Sequence, residues 1–443
     1  MTRYEAAALL NACLDRVTEV TDELKKLMKE FEKERAVLQG RVDGLEARVG
    51  VLEANPFSTT TKLKGLATFV LGANSFSGSS INTGANTVNR RTGSAVALPN
   101  ATTFNYDLQL ALDTSFTGKD LLRTNLRAGN FGQSVFGGDP HALALSTLET
   151  AFQQTCESND GSVAVDCGDV VAIDKLFYQF PIGDHFTATI GARVGQEDML
   201  ALWPSVYPAD TILNVMTVNG APAAYSKNLG VGAGLWWQDK GWSVSVNYVS
   251  ANGSVGSPAD GGIGNKASGA TGSVQIGYQQ EQWGLAAIWS YVQPETQFVP
   301  GTTPTTHSAI DHNVNASTQA VGLSAFWQPL KSGWAPSISA GWGINSTTYS
   351  TTMAAGSLST SQSWMVGLQW TDVFRKGNDF GMAVAQPVFA TALTENVTPD
   401  DGNYVWEWWY KVQVTDNISV TPALIYLSRP LGQQTVADQT FSQ

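Results

Sequence analysis

From Lys62 onward the chain repeats one pattern, in which apolar and polar residues alternate with a period of two. In 103–113, Phe104, Tyr106, Leu108, Leu110 and Leu112 alternate with Asn105, Asp107, Gln109, Ala111 and Asp113. In 242–250, Trp242, Val244, Val246 and Tyr248 alternate with Ser243, Ser245 and Asn247. A period of two puts each set on its own face of a β-strand. Fifteen such segments begin near residues 61, 101, 118, 172, 184, 228, 242, 270, 283, 317, 333, 360, 379, 403 and 417. Their connections alternate strictly in length. Long ones span 74–100, 130–171, 196–227, 251–269, 293–316, 347–359 and 389–402, and short ones include 114–117, 181–183, 239–241, 281–282, 329–332, 374–378 and 416–417. A soluble sandwich has no reason to gather every long loop at one end. A transmembrane barrel does, with short periplasmic turns and long outer loops. The expected fold is an all-β barrel of about 16 antiparallel strands, 15 of them visible, preceded by a long helix.

Large aromatics flank the short turns on the apolar face: Phe180/Phe186, Trp237/Trp242, Tyr278/Trp283, Trp327/Trp334 and Trp370/Phe380. One level of rings beside one set of turns is what a membrane interface selects. Composition agrees. Residues 57–443 carry 44 charged residues among 387, whereas residues 1–56 carry 20 among 56. A chain facing lipid outward needs few charges. The net charge of -12 argues against nucleic acid.

The first 56 residues follow a different period. Leu10, Val17, Leu24, Phe31, Leu38, Leu45 and Leu52 recur every seven residues, with Leu14, Thr21, Met28, Arg35, Val42 and Val49 between them. A seam this long predicts a coiled coil with partner helices, ending before Pro56. The core positions leave dimer and trimer open. Strand fifteen would run outward, so an even count needs a sixteenth, only begun at 436–443. The chain ends in Ser442-Gln443 rather than Phe, and no leader pattern follows Met1. Both features give the expectation of a sequence cut at its two ends.

The runs at 1–16 (MTRYEAAALLNACLDR), 45–48 (LEAR) and 57–63 (FSTTTKL) resemble cyanobacterial outer-membrane porins of the carbohydrate-selective porin superfamily, some of them named iron uptake porins. The resemblance implies residues 1–15 as a remnant of an S-layer-homology domain, 16–56 as a periplasmic coiled coil and 57–443 as the barrel. It implies a homotrimer joined through coiled coil and barrel walls in outer-membrane lipid. It also implies passage of small solutes, carbohydrates or inorganic ions including iron, and a grip on peptidoglycan or a linked polymer through the lost domain. The alternative is a structural tether between membrane and wall with an incidental pore.

Strand parity places Asp107, Arg123, Asn125, Arg127, Lys175, Gln179, His185 and Arg193 on the inner face, with Glu407 and Lys411 inward on a later strand. The 130–171 loop carries Asp139, Glu149, Glu157, Asp160, Asp166 and Asp169 and no Lys or Arg. Folded inward, those carboxylates would oppose the basic cluster across a narrow eyelet and set ion selectivity. Cys156 and Cys167 would staple that loop by a disulfide, while Cys13 stands beside the heptad seam. No enzyme, cofactor or metal is expected. The glycines Gly230, Gly232 and Gly234 fall at alternate strand positions rather than in a phosphate loop, His307 and His312 lack ligand spacing, and Asp160-Gly161 with Asp166 and Asp169 does not match an EF-hand.

Overall fold

The computed structural model describes residues 5–13, 21–22, 25–26, 60–77, 100–137, 145–157, 164–208, 212–294, 310, 315–429, 432 and 440–442. They belong to two units, Met1–Thr59 and Thr60–Gln443. In the first, residues 5–13, 21–22 and 25–26 are helical and exposed. Of the heptad seam only Leu10, 68% exposed, and Thr21 are described. The other seam positions lie outside the described residues, so the structure contains a short helix and does not establish a coiled coil.

The second unit is all-β. Its strands are β1 (Thr61–Gly72), β2 (Ser75–Ser77), β3 (Thr103–Thr114), β4 (Leu121–Gly129), β5 (Gln154–Glu157), β6 (Ala164–Cys167), β7 (Ala172–Ile182), β8 (Phe186–Gly195), β9 (Leu229–Asp239) and β10 (Trp242–Ser250). They continue as β11 (Ala270–Gln279), β12 (Trp283–Val292), β13 (Ala316–Trp327), β14 (Ser337–Tyr349), β15 (Leu358–Trp370), β16 (Asp379–Leu393), β17 (Tyr404–Thr415), β18 (Ile418–Val420), β19 (Ala423–Ser428) and β20 (Thr440–Ser442). β5 and β6 form a separate hairpin, and the rest make one sheet. Neighbours pair antiparallel. β20 pairs with β19 on one side and with β2 on the other, so the sheet closes on itself. With β1–β2 and β18–β19 each counted as one interrupted strand, about 16 strands encircle the interior among the described residues. The fifteen expected segments are all present, and 440–442 supply the sixteenth. Closure matters because an open sheet edge in hydrocarbon would leave backbone groups unpaired.

Several boundaries move for local reasons. The third segment starts at Leu121 rather than near 118 because Asp120 organises the turn before it. Its carboxylate accepts hydrogen bonds from the Thr117 hydroxyl (2.6 Å), the Thr117 and Phe116 amides (2.7 and 3.0 Å) and the Tyr178 hydroxyl (2.8 Å). The Thr117 hydroxyl, with these other donors, holds the Asp120 pKa well below the usual carboxylate range. The segment starting near 417 is broken at Pro422, which has no N–H for the ladder.

The outer face is apolar. In β13, Val321, Leu323 and Trp327 are exposed outward while Ala320 and Phe326 are buried inside. The aromatic rings beside the short turns meet side by side. Trp242 and Tyr278 lie 4.8 Å apart between centroids, Tyr278 and Trp283 5.5 Å, and Trp370 and Phe380 5.5 Å. Trp283 is paired in register with Trp327, and Phe186 with Trp237. Among the described residues no helix is long and apolar enough to cross a membrane. The crossing elements are strands.

Candidate functional site

The interior is filled unevenly, and the filling comes from two of the long connections. Residues 196–208 and 212–228, between β8 and β9, enter the barrel. Met199, Leu213, Met216, Ala224 and Tyr225 in this segment are fully buried. The wall holds it by hydrogen bonds. Ser245 Oγ accepts from the Ala201 amide (2.9 Å), and Ser339 Oγ from the Val206 amide (2.9 Å). Ser324 Oγ donates to the Asn219 carbonyl (3.0 Å), Ser363 Oγ to Gly220 (2.9 Å) and Ser290 Oγ to Ala224 (2.8 Å). Small wall residues make this approach possible. A Cβ on Gly341 would stand 1.7 Å from the Asn219 carbonyl oxygen, and one on Gly234 would stand 2.8 Å from Met199 Cβ. Gly220 itself adopts a φ of +68°, the left-handed region that favours glycine.

One carboxylate anchors the far end of the segment. Glu407 on β17 is 0% exposed. It accepts hydrogen bonds from the Tyr207 hydroxyl (2.7 Å) and the Leu213 amide (2.6 Å). Trp409 Nε1 donates to the same Tyr207 oxygen (2.8 Å). The connection between β4 and β7 also turns inward. Its Phe131, Val135, Phe136 and Leu148 share one apolar cluster with Tyr207, Leu213 and the β15–β19 wall. Leu148 and Leu213 form a β-bridge. Glu149 accepts from Lys227 Nζ (2.8 Å), Asn214 Nδ2 (2.8 Å) and the Thr217 hydroxyl (3.0 Å), which ties the two inserted segments together.

The inner wall of β1, β3, β4 and β7 is different. Where β13 buries Ala320 completely, β1 leaves the Lys64 side chain 64% exposed. Charged couples line this open side. Arg123 donates from Nε and Nη2 to Asp113 (2.8 and 2.9 Å), and Lys64 Nζ joins the same carboxylate (2.8 Å). Arg127 holds Asp107 the same way (2.7 and 3.1 Å) and lies 4.9 Å above the Phe152 ring. Lys175 reaches across to the inserted segment, donating to Glu197 (2.7 Å) and Asp198 (2.6 Å).

The sequence-predicted residues are thus distributed as follows. Asp107, Arg123, Asn125, Arg127, Lys175 and Gln179 stand together on this wall, with Asn125 donating to Asp174 (2.9 Å) and Gln179 to Thr189 (3.1 Å). Glu407 and Lys411 stand on another wall, with Lys411 opposite Asp379. His185 lies in the short turn before β8, exposed, with Nδ1 3.2 Å from the Gln238 carbonyl, and so does not stand on the wall. Arg193 is displaced by irregular register on both sides of β8: Val194 enters the interior cluster instead, and Arg193 Nε donates to the Asp174 carbonyl (2.9 Å).

Among the described residues the loop carboxylates do not oppose the basic cluster. Arg123 and Arg127 are satisfied by their strand neighbours Asp113 and Asp107, Glu149 by Lys227, and Asp169 accepts from the Tyr106 hydroxyl (2.7 Å). Asp139 and Asp160 lie outside the described residues, as do the side chains of Glu157, Asp166 and Cys156. Cys167 is disulfide-bonded and Cys13 is free and exposed. Sequence reasoning missed Glu197, Asp198 and Tyr207. A signal was available: Met199, Leu200, Leu202, Trp203, Val206 and Tyr207 are too apolar a run for a loop in water.

Residues 19–441 match the family described as carbohydrate-selective porin, OprB family. The chain is 30% identical to an uncharacterized protein of Nostoc sp. (strain PCC 7120), over 99% of this chain and 76% of that one. It is 28% identical to an uncharacterized protein of Synechocystis sp. (strain PCC 6803), over 99% and 80%. Among solved structures it is similar to the high-pH structure of Pseudomonas putida OprB, with a TM-score of 0.51 and 14% identity over 90% of this chain and 95% of that one.

Proposed function

The chain belongs to the carbohydrate-selective porin, OprB family, and from that premise we propose that solutes pass along the open wall of β1, β3, β4 and β7. It is an outer-membrane β-barrel channel and not an enzyme. The observation that carries the proposed path is the contrast between its two walls, one packed by apolar contacts and serine hydrogen bonds against the segment after β8, and one set with ion pairs whose cations range from Lys64, 64% exposed, to Arg127, 15% exposed. The inserted segment narrows the passage, Lys64 and Arg123 face it, and Asp107 and Asp113 stand behind the guanidinium groups of Arg127 and Arg123. Paired donors and acceptors on such a wall suit the hydroxyls of small carbohydrates, and their unpaired lone pairs and protons suit small inorganic ions. A trimer is the assembly we propose, with the seam of 10–52 forming a coiled coil between copies; the exposure of Leu10 on that seam supports a partner helix. A wall-binding tether and iron as a solute rest on the resemblance of residues 1–16 to S-layer-homology porins.

Conductance across a planar bilayer tests this reading. Ohmic steps in groups of three are expected. Replacing Arg123 and Arg127 by Gln leaves Asp113 and Asp107 without their guanidinium partners, so the reversal potential in a salt gradient should move toward cation preference. An unchanged potential would remove those residues from the path. Cys156 is the proposed partner of Cys167. Closing that short loop should contribute about 3 kcal/mol by chain entropy. Alkylation with and without reductant should show one thiol per chain before reduction and three after it.

A further inference from the structure

We propose that the periplasmic rim between the β13–β14 and β15–β16 turns binds the headgroup of an anionic phospholipid from the inner leaflet. Residues 328–336 and 371–378 are neighbouring short turns. Between them lies a groove of about 440 Å³ lined by Trp370, Phe374 and Phe380 on the apolar side and by Ser332, Gly333 and Asp372 on the polar side. That volume lies in the ~300–1,000 Å³ range of small-molecule sites. Trp370 Nε1 donates to the Trp334 carbonyl at 2.8 Å, which fixes one turn against the other.

Three features identify the occupant. The first is height: Trp370 and Phe380 belong to the aromatic level beside the short turns, where headgroups meet acyl chains. The second is charge. Lys331, Arg375 and Lys376 are exposed on the same two turns, next in sequence to the lining residues Ser332 and Phe374, and form no salt bridge among the described residues. The nearby Asp372 carboxylate is engaged inside the turns, accepting from the Gly377 amide at 2.8 Å and from Ser332, and it offsets part of the Lys376 charge, which leaves Lys331 and Arg375 in excess. An excess of cations at the interface attracts a phosphodiester. The third is strain. Asp372 and Phe374 adopt φ values of +59° and +61°, left-handed conformations unusual for residues with a side chain, and Phe374 is left 98% exposed. A bulky ring held in that conformation, 6.2 Å from the Tyr410 ring and just beyond the Trp370 and Phe380 level, is placed to cover a bound headgroup. Trp334, 91% exposed, flanks it.

The test uses the purified full chain in detergent, stripped of lipid and offered equal amounts of phosphatidylglycerol and phosphatidylcholine, with bound lipid counted by native mass spectrometry. One phosphatidylglycerol per chain should be retained in preference to phosphatidylcholine. Replacing Lys331, Arg375 and Lys376 by Gln should weaken that retention on the order of a hundredfold, at roughly fivefold per cation, and leave single-channel conductance unchanged. Phe374→Gly, which also relieves the backbone, should weaken retention without lowering thermal stability. Equal retention of the two lipids, or retention unaffected by the triple replacement, would overturn the proposal. Competition by glycerol phosphate as effective as the intact lipid would assign the site to a free anion instead. Loss of oligomer in the triple variant without loss of lipid would assign the surface to contact between copies.

Discussion

Replacing Glu407 by alanine should free the far end of the inserted segment and cost about 3–5 kcal/mol at that point. The reason is an imbalance of buried partners. The Tyr207 hydroxyl and the Leu213 amide both donate to this carboxylate, and both residues are buried. A buried donor left without its acceptor costs about 1–3 kcal/mol, because it is not rehydrated inside a packed interior, and two donors are left here. Glu407→Gln keeps one acceptor oxygen and should be intermediate. Amide exchange at Leu213 should accelerate in the order wild type, Gln, Ala, and channel current should become noisier in the same order. If Glu407→Ala left both unchanged, the anchor would lie elsewhere, with the apolar contacts of Tyr207 and Leu213 the next place to look.

The second large effect is expected from the smallest possible change on β14, three strands from the Glu407 anchor. Gly341→Ala places a methyl group 1.7 Å from the Asn219 carbonyl oxygen, a separation no pair of atoms tolerates. The strand is fixed by its ladders to β13 and β15, so residues 219–221 must give way. Their hydrogen bonds to Ser324 and Ser363 would then be lost. Overpacking of this kind costs about 1–3 kcal/mol. The displaced segment moves toward the open wall, so conductance should fall and thermal stability drop together. Gly272→Ala is the control, because a Cβ there meets nothing within 4 Å. Equal behaviour of the two variants would mean that the segment is not seated against Gly341 in the membrane.

Alternation alone located the strands, because facing lipid on one side and a protein interior on the other imposes a period of two on every crossing. Which loop enters the barrel was less legible. The acidic residues of 130–171 drew attention to that connection, and part of it does turn inward through Phe131 and Leu148. The segment that occupies most of the interior is 196–228, whose apolar run reads as an ordinary long loop once every apolar residue is assumed to face lipid. Gly322, Gly341 and Gly343 are clearance for a second layer, since a Cβ on Gly322 or Gly343 would meet Ala221. Arg193 shows a different limit. Parity counts residues, and a register irregularity such as those beside Gly191 and Val194 shifts the count without any mark in the sequence. The carboxylates that hold the basic cluster were less legible, because Asp113 and Asp107 lie on the neighbouring strand: Asp113 pairs in register with Arg123, and Asp107 meets Arg127 on the diagonal, beside Gln109.

The Glu407 anchor also has a consequence for the order of events when the chain folds. Tyr207 and Glu407 are separated by 200 positions, and every strand from β9 to β16 lies between them. Contacts this distant in sequence form late and slowly. The inserted segment therefore has to be carried along, unfastened, while the wall grows around it, and the passage acquires its final width only when β17 arrives.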